Sequence, residues 1–170
     1  MAGRFSETGY LTEEDLRDSP GFPSVKKRRQ GFVAVIECIE DIPCNPCESS
    51  CKTNAITVGD DITHIPHLNE ENCIGCRTCV FICPGQAIFM VDESLTDGKA
   101  AIMMPYEYLP LPQKGDIVNA LDRAGQKLGK ATVVAVRKTK KMDHTATVTI
   151  ETPIEWSTRA RMITPAAVGN

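Results

Sequence analysis

Ring-bearing side chains are scarce in this chain. One tryptophan, three tyrosines and five phenylalanines make up 5% of its 170 residues, and the mean hydropathy is −0.18. A core built from such material is thin, so part of the folding free energy is expected to come from elsewhere. No stretch of 18 apolar residues occurs, which excludes a hydrophobic helix long enough to span a bilayer. The first residues, Met1-Ala-Gly-Arg-Phe-Ser-Glu-Thr8, lack the apolar centre of a secretion signal, and a cytoplasmic location is expected. There is no G-x-G-x-x-G, no P-loop and no H-E-x-x-H, and none of the three histidines lies beside a candidate nucleophile. A substrate pocket has no visible source.

The small net charge of −3 hides a division. Residues 1–31 carry +1, residues 32–91 carry −6 and residues 92–170 carry +2. The acidic middle segment disfavours nucleic acid as a ligand and favours a partner with a basic or neutral face.

That middle segment holds all eight cysteines. Cys73-Ile-Gly-Cys76-Arg-Thr-Cys79-Val-Phe-Ile-Cys83-Pro84 is C-x2-C-x2-C-x3-C-P, a [4Fe–4S] ligand run. Three cysteines at this spacing wrap one face of a cubane, and the fourth, one helical turn on, points away from it. A second run supplies the second cluster: Cys44, Cys47 and Cys51 map onto Cys76, Cys79 and Cys83 with an offset of 32, and Asn54-Ala55-Ile56 maps onto Gln86-Ala87-Ile88. Cys38 breaks the offset, because the loop between it and Cys44 is three residues longer than its counterpart.

In a two-cluster ferredoxin the fourth cysteine of each run ligates the other cluster. Cys38, Cys44, Cys47 and Cys83 are therefore assigned to one cluster, and Cys73, Cys76, Cys79 and Cys51 to the other. The longer loop also fits a three-cysteine [3Fe–4S] centre; the strand signal before Cys38 is the reason to expect four ligands. Zinc sites also use C-x2-C pairs but do not require the triple spacing or the crossed repeat. A disulfide framework suits a smaller, exported chain.

Around the runs, Phe32-Val-Ala-Val-Ile36 reads as a strand. Ala55–Val58 and Ile62–Ile65 flank Gly59-Asp60-Asp61 as a hairpin, and Ala87–Val91 has Ala100–Met104 as a partner. His64 and His67 read as surface hairpin residues rather than metal ligands. Arg77, between two cysteines, either raises a cluster potential, meets an acidic partner or is solvated. Residues 1–31 form an arm whose Phe5, Tyr10 and Phe22 suit a partner surface. Pro105 and Pro112 bracket a stiff, extended segment. Beyond it, Asp116–Leu121, Ala131–Arg137 and Thr145–Glu151 read as strands, the last with Ala146, Val148 and Ile150 on one face. Pro153–Ala160 reads as a short closing helix.

The expected architecture is α+β. Residues 1–31 are an extended arm and residues 32–104 a two-cluster ferredoxin-like domain with a pseudo-twofold repeat. Residues 105–114 are a proline-rich linker and residues 115–170 a small antiparallel β barrel or half-barrel.

Two clusters without a place for chemistry make an electron relay. The stretch Ile36-Glu-Cys-Ile-Glu-Asp-Ile-Pro-Cys-Asn-Pro-Cys-Glu-Ser-Ser-Cys51, the second run and Gly115-Asp-Ile-Val-Asn-Ala-Leu-Asp-Arg-Ala-Gly125 together resemble the small two-[4Fe–4S] ferredoxin-like subunits of FAD-dependent amino-acid dehydrogenase complexes of the proline and hydroxyproline type. The resemblance covers about residues 30–163. It implies a non-catalytic chain that conducts electrons to or from FAD, or FMN, on a dehydrogenase subunit and on a second flavin- or NAD(P)-binding subunit. Lys52 departs from the pattern, standing where many ferredoxins have proline after the fourth cysteine. A free-standing ferredoxin, or the electron-donor subunit of a reductase or activator, is the alternative.

Overall fold

The computed structural model describes residues 5–143 and 145–164; residues 1–4 of the expected arm and 165–170 of the expected β region lie outside the described residues. In chain order the elements are α1 (Phe5–Thr8), α2 (Glu13–Arg17), α3 (Val25–Arg28), β1 (Val33–Ile36), α4 (Pro46–Ser49), β2 (Ile56–Thr57), β3 (His67–Leu68), α5 (Thr78–Ile82), β4 (Ile88–Asp92), β5 (Lys99–Tyr106), β6 (Ile117–Leu121), β7 (Lys127–Arg137), β8 (Ala146–Pro153) and β9 (Met162–Ile163). Among the described residues no helix exceeds five residues, too short to stand on propensity alone. Caps and packing hold them. Thr12 and Asp15 form a reciprocal capping box at α2, and the Ser24 hydroxyl accepts from the Lys27 N–H at α3.

Among the described residues, one seven-stranded antiparallel sheet, ordered β1-β4-β5-β8-β7-β6-β9, joins the cysteine-bearing part to the C-terminal strands. β2 and β3 form a separate pair. The seam is β5. It is apolar on both faces, pairs with β4 on one side through Met90↔Met103, and pairs with β8 on the other along its full length from Lys99↔Pro153 to Tyr106↔Ala146. Pro105 and Tyr106, expected at the head of the linker, close this strand instead. Pro105 has no N–H to donate and sits beyond the last registered β4 pair.

Strand alternation sorts the apolar side chains into two clusters. The larger takes residues from all seven strands, among them Val35, Phe89, Ile102, Val148, Val133, Val118 and Ile163. A single cluster touched by every strand requires the sheet to curl around it. The smaller lies on the other face of β1, β4 and β5, where Ala34, Ile36, Ile88, Met90 and Met103 meet Cys47, Cys79, Ile56 and Val80.

The expected C-terminal barrel or half-barrel is therefore not a body of its own: its strands extend the sheet of the cysteine-bearing part. No backbone pairing joins the edge strands β1 and β9 among the described residues. Side chains bridge them. Glu37, just past β1, accepts from Arg161, just before β9, at 2.5 Å and from Arg123 Nε at 2.7 Å, while the Arg161 guanidinium lies 4.9 Å from the Phe89 ring centroid. Thr147 and Thr149, on the opposite side of the alternation from Ala146, Val148 and Ile150, are buried as well, and α5 lies against β5 and β8. The closing segment after Pro153 is a 3-10 turn, Ile154–Trp156. Its indole covers Gly129, where an added Cβ would collide with the ring.

The arm, expected to lie on a partner, packs on its own chain from Leu11 onward. Leu16 is fully buried and Phe22 joins the larger cluster. The Gly21 and Pro20 carbonyls accept from the Ile36 and Leu68 N–H groups, both at 2.9 Å. Gly21 is required there: a Cβ would stand 2.6 Å from that of Ile36. Arg28 is buried, with its Nε 2.6 Å from Glu93. The Ser157 hydroxyl donates to the same carboxylate at 2.7 Å. Among the three arm aromatics, Tyr10 stays exposed.

Candidate iron–sulfur centres

The local repeat is legible in the backbone. In β2–β3 the pairs are Ile56↔Leu68 and Thr57↔His67; in β4–β1 they are Ile88↔Ile36 and Phe89↔Val35, each residue 32 positions from its counterpart. The partner of β2 is thus His67–Leu68, not Ile62–Ile65. Residues 61–63 turn instead, with the Asp61 carboxylate accepting from the Thr63 N–H and hydroxyl.

After each fourth cysteine the chain makes the same turn. Asn54 and Gln86 stand at φ 51° and 52°, and donate to the Cys51 and Cys83 carbonyls at 3.2 and 3.1 Å. The Ala55 and Ala87 N–H groups point at the Cys51 and Cys83 sulfurs, 3.2 and 3.4 Å away. Lys52, in place of proline, leaves this turn unchanged.

The odd spacing of Cys38 also resolves. From Ile36 to Cys44 and from Leu68 to Cys76 the chain takes the same eight steps. The second half spends three of them on the turn Glu70–Asn72 before Cys73; the first half places Cys38 early and spends them afterwards. The longer loop is therefore offset within the repeat unit, and only the first cysteine has moved.

All eight cysteines are free thiols. Cys38 and Cys47 each feel the charge of Cys44 and Cys83, whereas Cys79 feels Cys73, Cys76 and Cys51. Cys51, Cys73, Cys76 and Cys79 line one small cavity, walled by Ala34, Ile56 and Met90. The thiols thus gather as two quartets, each with three members from one run and one from the other. Burial pushes the Cys47 thiol up to about 11, and nearby Cys83 and Cys44 add to it. Burial and its three neighbours push Cys79 further still, and Cys38 rises for the same reasons. At Cys51 burial also acts upward, but N–H groups of Ile56, Thr53 and Ala55 outweigh it and hold the thiol below its usual range. Thiols raised as Cys38, Cys47 and Cys79 are keep their protons until cations arrive, so metal loading releases protons.

The donor set fits clusters. Four sulfurs on one tetrahedral zinc, at the usual 2.3 Å bond length, stand only about 3.8 Å apart. Among the described residues no three His, Cys, Asp or Glu side chains converge closely enough for a single ion. One thiolate per iron of a cubane allows the wider spacing. His64 and His67 are exposed and belong to no such group.

Two features escape a linear reading. Glu37 is 124 residues from Arg161, and only its place beside Cys38, in an otherwise apolar approach, is a hint. Arg77 stands at φ 73° with its guanidinium carbon 4.6 Å from the Phe32 ring centroid. The loop can lie this close to Phe32 because of Gly75, where a Cβ would stand 2.6 Å from the Phe32 carbonyl oxygen.

Residues 37–87 match the family model of the 4Fe-4S dicluster domain. Among curated relatives, the chain is similar to an aliphatic sulfonate oxidoreductase, polyferredoxin-like subunit, of Pyrococcus furiosus, with 45% identity over 29% of this chain and 27% of the relative. Hydrogenase-4 component A of Escherichia coli is 35% identical over 32% of each chain. An uncharacterized ferredoxin of Methanocaldococcus jannaschii is 31% identical over 41% of this chain and 45% of the relative. The match spans less than half the length of each of these relatives. No solved structure matches the chain. No helix among the described residues is long and apolar enough to cross a membrane.

Proposed function

We propose that this chain is a non-catalytic electron-transfer subunit of an oxidoreductase complex, carrying one [4Fe–4S] cluster on Cys38, Cys44, Cys47 and Cys83 and a second on Cys73, Cys76, Cys79 and Cys51. The observation that carries this reading is the interleaving of the two runs into two quartets around one apolar cluster. Iron–sulfur clusters so held supply one-electron redox chemistry when bound. The protein's share is to hold them apart from water and from each other. Ile36, Ile56, Ile88 and Met90 wall the sites, and the Ala55 and Ala87 N–H groups draw charge from two of the sulfurs. Full ligation by Cys38 is part of the proposal, because β1 is buried on both faces and delivers it rigidly.

The finer reading is that the chain passes electrons between FAD or FMN on a dehydrogenase subunit that oxidises an amino acid and a second flavin- or NAD(P)-binding subunit, in the cytoplasm. It is supported by the resemblance carried by the 36–51 and 115–125 stretches and by the net charge of −6 on residues 32–91, which suits a basic docking face. Similarity to an oxidoreductase subunit and to a hydrogenase component supports the coarser part of it.

Anaerobic purification from native extract, with iron and flavin assays, tests both levels. Eight irons per chain and a co-purifying flavoprotein that its amino-acid substrate reduces are expected. A chain that carries its irons but runs alone on gel filtration is a free ferredoxin, and the complex is then wrong. A colourless zinc protein removes the relay altogether.

A further inference from the structure

The two halves of the repeat share strand register and the turn after the fourth cysteine, but differ in backbone and in charge at the residue after the second cysteine, where Arg77 stands at φ 73° and Asn45 at φ −140°. Beside the second cysteine of its run stands Arg77; the equivalent position 32 residues earlier is Asn45. Arg77 occupies the left-handed region of φ, uncommon for a long side chain, and its guanidinium is stacked on Phe32. Held there, its Nε is buried and has no hydrogen-bond partner, and Arg77 is among the residues lining the same cavity as Cys51, Cys73, Cys76 and Cys79. A guanidinium does not shed its proton, and a buried donor left unpaired is costly. Whatever fills that cavity must offer an acceptor, and the sulfurs of a cluster do. The first cluster's loop has the opposite sign: Glu40 and Asp41 lie exposed between Cys38 and Cys44.

Resting on the two-cluster reading above, we infer that Arg77 donates its Nε–H to the cluster on Cys51, Cys73, Cys76 and Cys79 and holds it at a higher reduction potential than the cluster on Cys38, Cys44, Cys47 and Cys83. Reduction adds negative charge, so a fixed cation and a hydrogen bond favour the reduced state on that side. The relay then has a direction. With both clusters bound, an electron given by a reduced flavin at the Cys38 side would come to rest on the Cys76 side, the first cluster giving up the one electron that the second takes, with no bond or proton exchanged. A one-electron acceptor on the partner collects it there. Cys76 is the one exposed cysteine of the eight, and the neighbouring Ile74 side chain is 68% exposed, so that end is open to a partner.

Redox titration of the full, cluster-loaded chain, followed by electron paramagnetic resonance, tests this. The wild type titrates in two waves. In Arg77→Gln the upper wave falls, so that at the wild-type midpoint the reduced-to-oxidised ratio of that cluster drops at least threefold while the lower wave stays put. Arg77→Lys, which keeps the charge and loses the Nε–H, lies between. Asn45→Arg raises the lower wave. A single wild-type wave, an Arg77→Gln chain with eight irons and unmoved waves, or movement of the lower wave in that variant overturns the inference. Should Arg77→Gln lose iron, Arg77→Lys decides, and an upper wave that stays at the wild-type potential in that variant overturns it. A wild type without eight irons defeats the two-cluster reading itself, a distinct failure.

Discussion

The cysteine-bearing part and the C-terminal strands share one sheet, yet they are held by different forces. In the first, β2 and β3 are two residues long, α4 and α5 four and five, and Cys47 and Cys79 belong to the apolar cluster itself. In the second, β7 runs for 11 residues and β8 for eight, side by side, burying Val133, Val148 and Ile150 completely. Cofactor bonds are expected to close the first, and side-chain burial to hold the second. Stability need not be uniform across such a molecule.

Iron removal is the largest perturbation of that contrast. Chelation under reducing conditions should abolish amide-exchange protection over α4, β2, β3 and α5 while β7 and β8 keep theirs, because metal binding there is folding free energy. Uniform loss would show a single cooperative unit in which the long strands depend on the clusters. Uniform retention would show that the short elements stand without them.

Next in size is the tie between the two parts. Glu37 follows β1, and its partners Arg123 and Arg161 belong to the C-terminal strands; all three side chains are at least nine-tenths buried. Glu37→Gln leaves two guanidiniums facing a neutral amide, a loss of about 3–5 kcal/mol measurable by urea unfolding. Burial alone would raise the Glu37 pKa, but the charges and hydrogen bonds of Arg161 and Arg123 hold it below the usual carboxylate range. A group with a depressed folded-state pKa contributes stability that is fully present above its unfolded value of about 4.3 and is lost as pH falls through the folded value. The difference between wild type and Glu37→Gln should therefore be constant from pH 7 to about 5 and shrink in stronger acid. A difference that grows on acidification contradicts the assignment.

The same contrast explains what a linear reading can reach. C-x2-C-x2-C-x3-C-P is local chemistry at fixed spacing, and the 32-residue repeat follows from it, down to the paired turns at Asn54 and Gln86. The strands at 117–121, 127–137 and 146–153 follow from alternation. The joint is what stays hidden. Ala100–Met104 is apolar on both faces, which fits a strand with neighbours on two sides as well as one at an edge, so nothing local announces that β8 lies beside it. Arg28 and Glu93 are 65 residues apart, and each resembles an ordinary surface charge. Separate domains were the natural expectation because long-range pairing leaves no periodic signature.

A core truncation in the C-terminal strands comes third. Ile150 is fully buried between Ile102 and Val133, and Ile150→Ala should cost about 2–5 kcal/mol while the chain still loads eight irons. Loss of iron together with stability would mean that the strands position the cysteines through β5, and the distinction between the two regions would weaken.

The smallest effect is expected where the same seam carries a surface charge pair. Lys99 Nζ lies 2.7 Å from Glu151 across β5 and β8, and its hydrogen bond to that carboxylate raises the lysine pKa. The ammonium is nevertheless half exposed; water and salt screen it, and two flexible side chains must be ordered to form the contact. Lys99→Ala should leave the melting temperature within experimental scatter at 0.15 M salt. The register from Lys99↔Pro153 to Tyr106↔Ala146 is fixed by Ile102, Met104, Val148 and Ile150 lying on one face, and a one-residue slip would turn all of them outward. A loss at Lys99→Ala comparable to that at Ile150→Ala would mean that charge, and not burial, holds the seam between the two parts.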